Sequence, residues 1–170
     1  MLNLFAYTGG ATMACASAGA AEVVHVDASK GMVNWAKENM MLSHLENHKI
    51  RFIVDDVLKF VAREKRRGRT YHAIIMDPPS YGRGPNGEIW KIEEQLYPLI
   101  SACMEILDEN PLFFLVNSYT TGFPPTVLYN LLRTTVGKKH RDGQIDAGRN
   151  RSAHYSHRQC AAMRNLWKMG

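Results

Sequence analysis

Four acidic residues stand at the ends of three apolar, β-branched runs of this chain, and a pair of glycines follows a fourth. Asp27 closes VVHV, Asp55 and Asp56 close IRFIV, Asp77 closes HAIIM, and Gly9 and Gly10 come shortly after LNLF. In open parallel sheets ligands bind beyond the carboxyl ends of the strands, so these are the positions at which chemistry is to be sought. The two glycines let the backbone pass close to a ligand at the start of a helix. They would equally serve to close a tight turn, and their spacing departs from the GxGxxG of dinucleotide binders. Asp27 lies about 20 residues beyond the glycine turn, where a carboxylate can accept hydrogen bonds from both hydroxyls of a ribose. Its alternative role is to cap a helix beginning near Ser29. Asp55 or Asp56 can take a hydrogen bond from an adenine amine while the next backbone N–H, at Val57, serves a ring nitrogen; either acid could instead cap the helix that starts there.

Asp77 opens the most specific stretch, Asp77, Pro78, Pro79, Ser80, Tyr81. Two consecutive prolines fix two φ angles and offer carbonyls without competing N–H donors. A rigid acceptor pair beside a carboxylate suits holding an amine or ring nitrogen in line with a sulfonium methyl, because direct displacement depends mainly on positioning. The alternative is a stiff loop after a strand.

Elements that could position these residues are legible in the hydrophobic pattern. Runs at residues 2 to 5, 23 to 26, 50 to 54, 72 to 76 and 112 to 116 predict buried parallel strands. Stretches with helical spacing lie between and after them, at 11 to 19, 29 to 42, 56 to 67, 91 to 107 and 124 to 136. Alternation of this kind implies right-handed βαβ units around one open sheet, a three-layer α/β sandwich.

Composition removes several other classes. The formal charge is +5, yet five of the 21 Lys and Arg lie in residues 149 to 170, which hold no acid, and the other 16 match 16 Asp and Glu. A basic balance confined to one short segment is no electrostatic footprint for nucleic acid. Cys15, Cys103 and Cys160 are far apart, with no CxxC pairing, which argues against a disulfide framework and against a metal site. No apolar run reaches the ~20 residues of a membrane span, and the first residues lack a secretory pattern, so the expected compartment is the cytosol. Lys65, Arg66, Arg67 and Arg69 read as a solvated helix end, Met32, Trp35, Met40 and Met41 as helix packing, and His25 as a hydrogen-bonded core or edge residue.

Taken together, LNLFAYTGGAT, VDAS, KENMMLSHL, IVDDVLKFV and IIMDPPSYGRG, in this order and spacing, resemble the methyltransferase domain of the bacterial 23S ribosomal RNA methyltransferases that modify cytosine C5 or guanine N7. The likeness covers about residues 1 to 135. It implies a Rossmann-like class I methyltransferase fold with a mostly parallel sheet, S-adenosyl-L-methionine as cofactor and ribosomal RNA as partner. It also implies roles: Tyr7, Thr8, Gly9 and Gly10 line the methionine part of the cofactor, Asp27 the ribose, and Asp56 with Val57 the adenine. Phe5, Ala28, Ser29 and Asp55 complete the cofactor set. Asp77, which also borders the cofactor, faces the target base with Pro78 and Pro79, and Tyr81 is a stacking platform for that base.

Departures from the pattern sharpen the expectation. Cytosine C5 is a weak nucleophile, and enzymes that methylate it attack C6 with a cysteine placed after the fourth or fifth strand. Here those places hold Pro79 and Ser80, and Asn117, Ser118 and Tyr119, which favours a nitrogen target. Amine methyltransferases place an aromatic directly after the prolines, whereas Ser80 precedes Tyr81 here. Other functions compatible with the residues are methylation of a protein amide or small molecule, and a cofactor-binding fragment without activity. A nicotinamide oxidoreductase explains the glycines and Asp27 but not residues 77 to 79.

Both ends carry expectations of their own. Met1 opens directly onto a strand-like run, so the 1–148 methyltransferase domain is expected to be truncated at its N-terminus. Residues 149–170, RNRSAHYSHRQCAAMRNLWKMG, show no strand period. Gln144 to Asp146 could begin a terminal strand pair that this tail then fails to complete. Back-translation with permitted codons and removal of one base yields a strand-forming string, so the tail is expected to be out of frame and non-native, the C-terminal strand pair incomplete, and the fifth strand left with an unpaired edge.

Overall fold

A computed structural model describes residues 1–120, 123–149 and 159–165. Their elements run β1 (Leu2–Leu4), α1 (Gly10–Ser17), β2 (Val23–Asp27), α2 (Lys30–Leu42), β3 (Ile50–Val54), α3 (Val57–Arg66), β4 (Ala73–Met76), β5 (Tyr81–Arg83), β6 (Ile89–Lys91), α4 (Ile92–Cys103), β7 (Phe113–Ser118), α5 (Pro125–Thr134), α6 (Val136–Lys139), β8 (Gly143–Arg149) and β9 (Gln159–Asn165). The main sheet has the order β3-β2-β1-β4-β7-β9-β8, and β5 with β6 forms a separate hairpin. Strands β3, β2, β1, β4 and β7 are mutually parallel, as their near-continuous apolar sequences require of strands covered on both faces.

The chain runs outward from β1 through β2 to β3, then returns to place β4 on the other side of β1. The switch point of strand order therefore falls between β1 and β4. Leu2, Leu4, Ile74, Met76 and Phe114 are fully buried at the centre of the sheet. Helix α3 closes over it with Val57, Phe60, Val61 and Glu64 buried, a spacing that puts all four on one face. Burial of a side chain such as Phe60 stabilises the fold by about 1.5–3 kcal/mol. The helix starts where the Asp56 carboxylate accepts from the Lys59 N–H at 3.0 Å, and Arg63, Lys65 and Arg66 occupy its last turn.

Two expectations are corrected. The C-terminal strand pair is present: β9 pairs antiparallel with β7 over Phe113 to Ser118 and with β8 over Gly143 to Arg149, so β7 has no open edge. Ladder hydrogen bonds are made by the main chain, and a segment without side-chain alternation can still satisfy an edge. Residues 150–158 and 166–170 of the expected non-native tail lie outside the described residues. Helix packing claims less of α2 than expected. Val33 and Ala36 are buried and Met40 packs inward, which turns Trp35 and Met41 to the outside, 50% and 54% exposed. Between Pro79 and α4 the chain also forms the β5–β6 hairpin, for which the hydrophobic pattern gave no expectation.

Candidate functional site

Beyond β1 the backbone turns sharply. Phe5 and Tyr7 adopt φ of 52° and 50°, in the left-handed region that non-glycine residues rarely enter, and Gly9 follows at 86°. Side chains account for the turn. The Tyr7 N–H donates to Asp27 Oδ2 at 2.8 Å, and Asn39 Nδ2 on α2 donates to the Thr8 carbonyl at 2.9 Å. Gly9 is required twice over, by its φ and because a Cβ there would stand 3.1 Å from both Ala36 Cβ and Met13 Cε. A Cβ on Gly10, by contrast, would meet nothing within 4 Å, so the start of α1 is open to a ligand.

A buried polar relay supports the turn from below. Asn3 Nδ2 donates to Thr12 Oγ1 at 2.9 Å, and that hydroxyl is 3.0 Å from His25 Nδ1. Desolvation lowers the His25 pKa to about 4, so the ring is neutral at physiological pH. The expected core role of His25 is what the structure shows.

Asp27 binds two loops at once. Its Oδ2 takes the Tyr7 N–H and its Oδ1 takes the Ser29 N–H, also at 2.8 Å, while Ser29 itself caps α2 through Met32 N. The capping job that Asp27 could have done belongs to Ser29. Each carboxylate oxygen has a further lone pair, so Asp27 can still accept ribose hydroxyls. At the end of β3 the two acids divide their work: Asp56 caps α3, and Asp55 takes the Asp56 N–H at 2.9 Å and pairs with Arg63. Val57 is buried at the first turn of α3, where backbone N–H groups have no partner within the helix.

The fourth strand end faces the first across the switch point. The Asp77 N–H lies 3.4 Å from the Leu4 carbonyl, extending the β1–β4 ladder to the residue where the acidic side chain begins. Pro78 is buried, and Tyr81 is 53% exposed. Of the two proline carbonyls, that of Pro79 accepts from Trp90 Nε1 at 2.7 Å. Ser80 Oγ is 2.8 Å from Thr120 Oγ1, tying this loop to the segment after β7. Lys59 on α3 pairs with Glu88 at the hairpin tip, and that hydrogen bond holds the Glu88 carboxyl at about 2.

The structure thus gathers Phe5, Tyr7, Thr8, Gly9, Gly10, Asp27, Ala28, Ser29, Asp55, Asp56, Val57, Asp77, Pro78, Pro79 and Tyr81 along one end of the sheet, on four strand ends. Asn39, Thr120 and Trp90 join them and were not found in the sequence. For Trp90 a signal existed: Asn86–Gly87, a strong hairpin turn pair, stands between YGR and IWK. Among the described residues no group of three His, Cys, Asp or Glu could hold a metal ion.

Comparison with known proteins bears on family and fold. Residues 1–96 match the family model described as S-adenosylmethionine-dependent methyltransferase. Ribosomal RNA large subunit methyltransferase I of Enterobacter sp. (strain 638) is 33% identical over 153 residues, covering 88% of this chain and 35% of that protein. Ribosomal RNA large subunit methyltransferase K/L of Syntrophotalea carbinolica is 40% identical over 87 residues, covering 51% of this chain and 12% of that protein. The chain therefore spans about a third or less of the length of these curated relatives. A solved SAM-dependent methyltransferase from Agrobacterium tumefaciens superposes with a TM-score of 0.87 at 37% identity, over 96% of this chain and 55% of that one.

Proposed function

Because the chain belongs to the S-adenosylmethionine-dependent methyltransferase family, we propose that it serves to methylate a base of large-subunit ribosomal RNA at a nitrogen atom, in the cytosol. The observation that carries this reading is the placement of Asp77 and the two prolines at the end of β4, directly across the switch point from the Phe5–Gly10 turn.

The residues fit the cofactor. Gly10 is open above the start of α1, and Asp27 and Asp56 retain acceptor capacity for the ribose hydroxyls and the adenine amine. S-adenosylmethionine supplies an electrophilic methyl group on a positively charged sulfur. The protein's contribution is position and charge. Asp77 accepts a hydrogen bond from the acceptor's N–H and orients the nitrogen lone pair toward the cofactor side, the prolines keep that loop from yielding, and Tyr81 offers a face on which an unstacked base can lie.

Ribosomal RNA as substrate is supported by the names of the curated relatives, and a nitrogen target by the side chains after β4 and β7. Cys15 lies on α1 and Cys103 ends α4, fully buried with its thiol pKa raised by desolvation, so neither stands at those strand ends. Cys160 on β9, by contrast, pairs with Asn117 near the end of β7 and is the cysteine a covalent adduct would implicate. The domain reading, 1–148 as the cofactor-binding unit and 149–170 as an out-of-frame segment, remains a proposal on the charge imbalance of the tail alone, since residues 159–165 supply β9. Resequencing the locus tests it: DNA that yields no strand-forming string on a one-base shift makes the tail native.

The activity test combines titration and transfer. Calorimetry is expected to give S-adenosylhomocysteine binding in preference to NAD, and tritiated S-adenosylmethionine is expected to label deproteinised large-subunit ribosomal RNA on a nitrogen, with Cys103→Ser as active as the parent. Tighter NAD binding would sink the cofactor assignment, and a trapped covalent RNA adduct that depends on a cysteine would sink the nitrogen target.

A further inference from the structure

The β5–β6 hairpin is an addition to the sheet with no ladder to it, and a two-stranded hairpin is marginal in isolation. Its strands are exposed or half-exposed everywhere except at Trp90, which is 5% exposed. That one side chain reaches two loops. Its ring lies against Phe5, with centroids 4.7 Å apart and planes tilted by 60°, and its indole N–H donates to the Pro79 carbonyl at 2.7 Å. Phe5 is one of the residues held at positive φ, a conformation that persists only where the surroundings enforce it. Pro79 belongs to the acceptor loop. A second anchor, the Lys59–Glu88 pair, fixes the hairpin tip to α3 two residues beyond Val57.

We propose that Trp90 is a positioning residue that ties the cofactor-side turn after β1 to the acceptor loop after β4, setting the two halves of the site against each other through one indole. The ring face holds the Phe5 turn, and the N–H, the only donor an indole has, fixes the Pro79 carbonyl and with it the direction in which Asp77 and Pro78 point. Substitution at this position divides into two effects because the two contacts use different parts of the side chain. Trp90→Phe keeps an aromatic ring for Phe5 and removes the N–H; Trp90→Ala removes both.

This inference rests on the cofactor assignment above, and the experiment separates the two. The full chain is labelled with ¹⁵N-indole tryptophan, the Trp90 resonance is identified by its loss in Trp90→Phe, and S-adenosylhomocysteine is added. The Trp90 N–H signal is expected to shift on binding. Affinity by calorimetry is expected to stay near the parent value in Trp90→Phe and to fall roughly fivefold or more in Trp90→Ala, the scale of one lost aromatic contact. In transfer to large-subunit ribosomal RNA, Trp90→Phe is expected to lower kcat about tenfold or more with KM for S-adenosylmethionine little changed, within the roughly 100-fold that a ~1 Å misplacement can cost. Failure of the parent chain to bind S-adenosylhomocysteine overturns the cofactor assignment. Binding by the parent with no shift of the Trp90 signal, or with equal affinity in the parent and a folded Trp90→Ala, overturns the role of Trp90 alone. Should Trp90→Ala not fold, the indole shift and the kcat of Trp90→Phe decide the matter.

Discussion

The two ends of the parallel sheet are built from similar residue types and do opposite things with them. Where the strands begin, charges are matched. Glu22 lies 3.5 to 3.9 Å from the cations of Lys49, Arg51 and Arg69, and buried Glu64 accepts from the Tyr71 hydroxyl at 2.6 Å and from Arg67 at 2.9 Å. Tyr71 is consequently buried and its phenol held above the usual range, first by desolvation and then by that carboxylate. Where the strands end, Phe5 and Tyr7 hold strained backbone angles, and Tyr7, Tyr81 and Tyr119 are 61%, 53% and 46% exposed. Carboxylates there accept mostly from backbone N–H groups, which orient them without using all their lone pairs. Exposed rings, strain and spare acceptor capacity at one end, and closed ion pairs at the other, are the difference on which the proposed ligand site rests.

The contrast can be broken most sharply at Asp77. Asp77→Ala is expected to cut methyl transfer to ribosomal RNA by about 100- to 1000-fold, since it removes the carboxylate proposed for the acceptor side of a site that would work by positioning and charge. Affinity for S-adenosylhomocysteine should be nearly unchanged. A variant that transfers at the parent rate would place the acceptor elsewhere.

Asp27 comes next in expected size. Asp27→Ala should weaken S-adenosylhomocysteine binding by about 1–3 kcal/mol in calorimetry, because ribose hydroxyls lose a charged acceptor. The Tyr7 and Ser29 N–H groups lose theirs in the same step, so the turn after β1 should also show faster amide exchange. Unchanged affinity would remove Asp27 from the cofactor set.

At the opposite end the effect should be smallest. Glu22→Gln weakens ion pairs whose cationic partners Lys49 and Arg69 are 68% and 51% exposed, and such pairs contribute only about 0–1 kcal/mol. A small fall in melting temperature with cofactor affinity intact is expected. A loss of affinity on this substitution would erase the distinction between the two ends.

How much of this was legible beforehand depends on whether the information is local. Buried strands announce themselves by continuous apolar runs, and β1, β2, β3, β4 and β7 were found to within about a residue or two, the usual margin for element ends. LNLF overran by one because Phe5 leaves the strand at positive φ, an angle imposed by its surroundings rather than by a phenylalanine. The β5–β6 hairpin was missed because strands of three residues carry too little pattern, although its Asn–Gly turn was in view. Strand β9 was missed for a different reason: its pairing follows from the open main-chain groups of β7, and QCAAMRN shows no alternation that would reveal it.

By itself, the sequence determined the order of strands and helices and the acids and glycines at the strand ends, because side-chain type and spacing act locally; the class of ligand came with the resemblance of the motifs to a known family. Tertiary structure alone decided which of those residues meet. It divided Asp55 from Asp56 by bringing Arg63 to one and a helix start to the other, gave the cap of α2 to Ser29 so that Asp27 could bind two loops, and carried Trp90 across to both Phe5 and Pro79. Hydrogen bonds and ring contacts are short-ranged, so residues far apart in the chain acquire a joint role only when the packing of the sheet and its helices sets them within about 3 to 5 Å of one another.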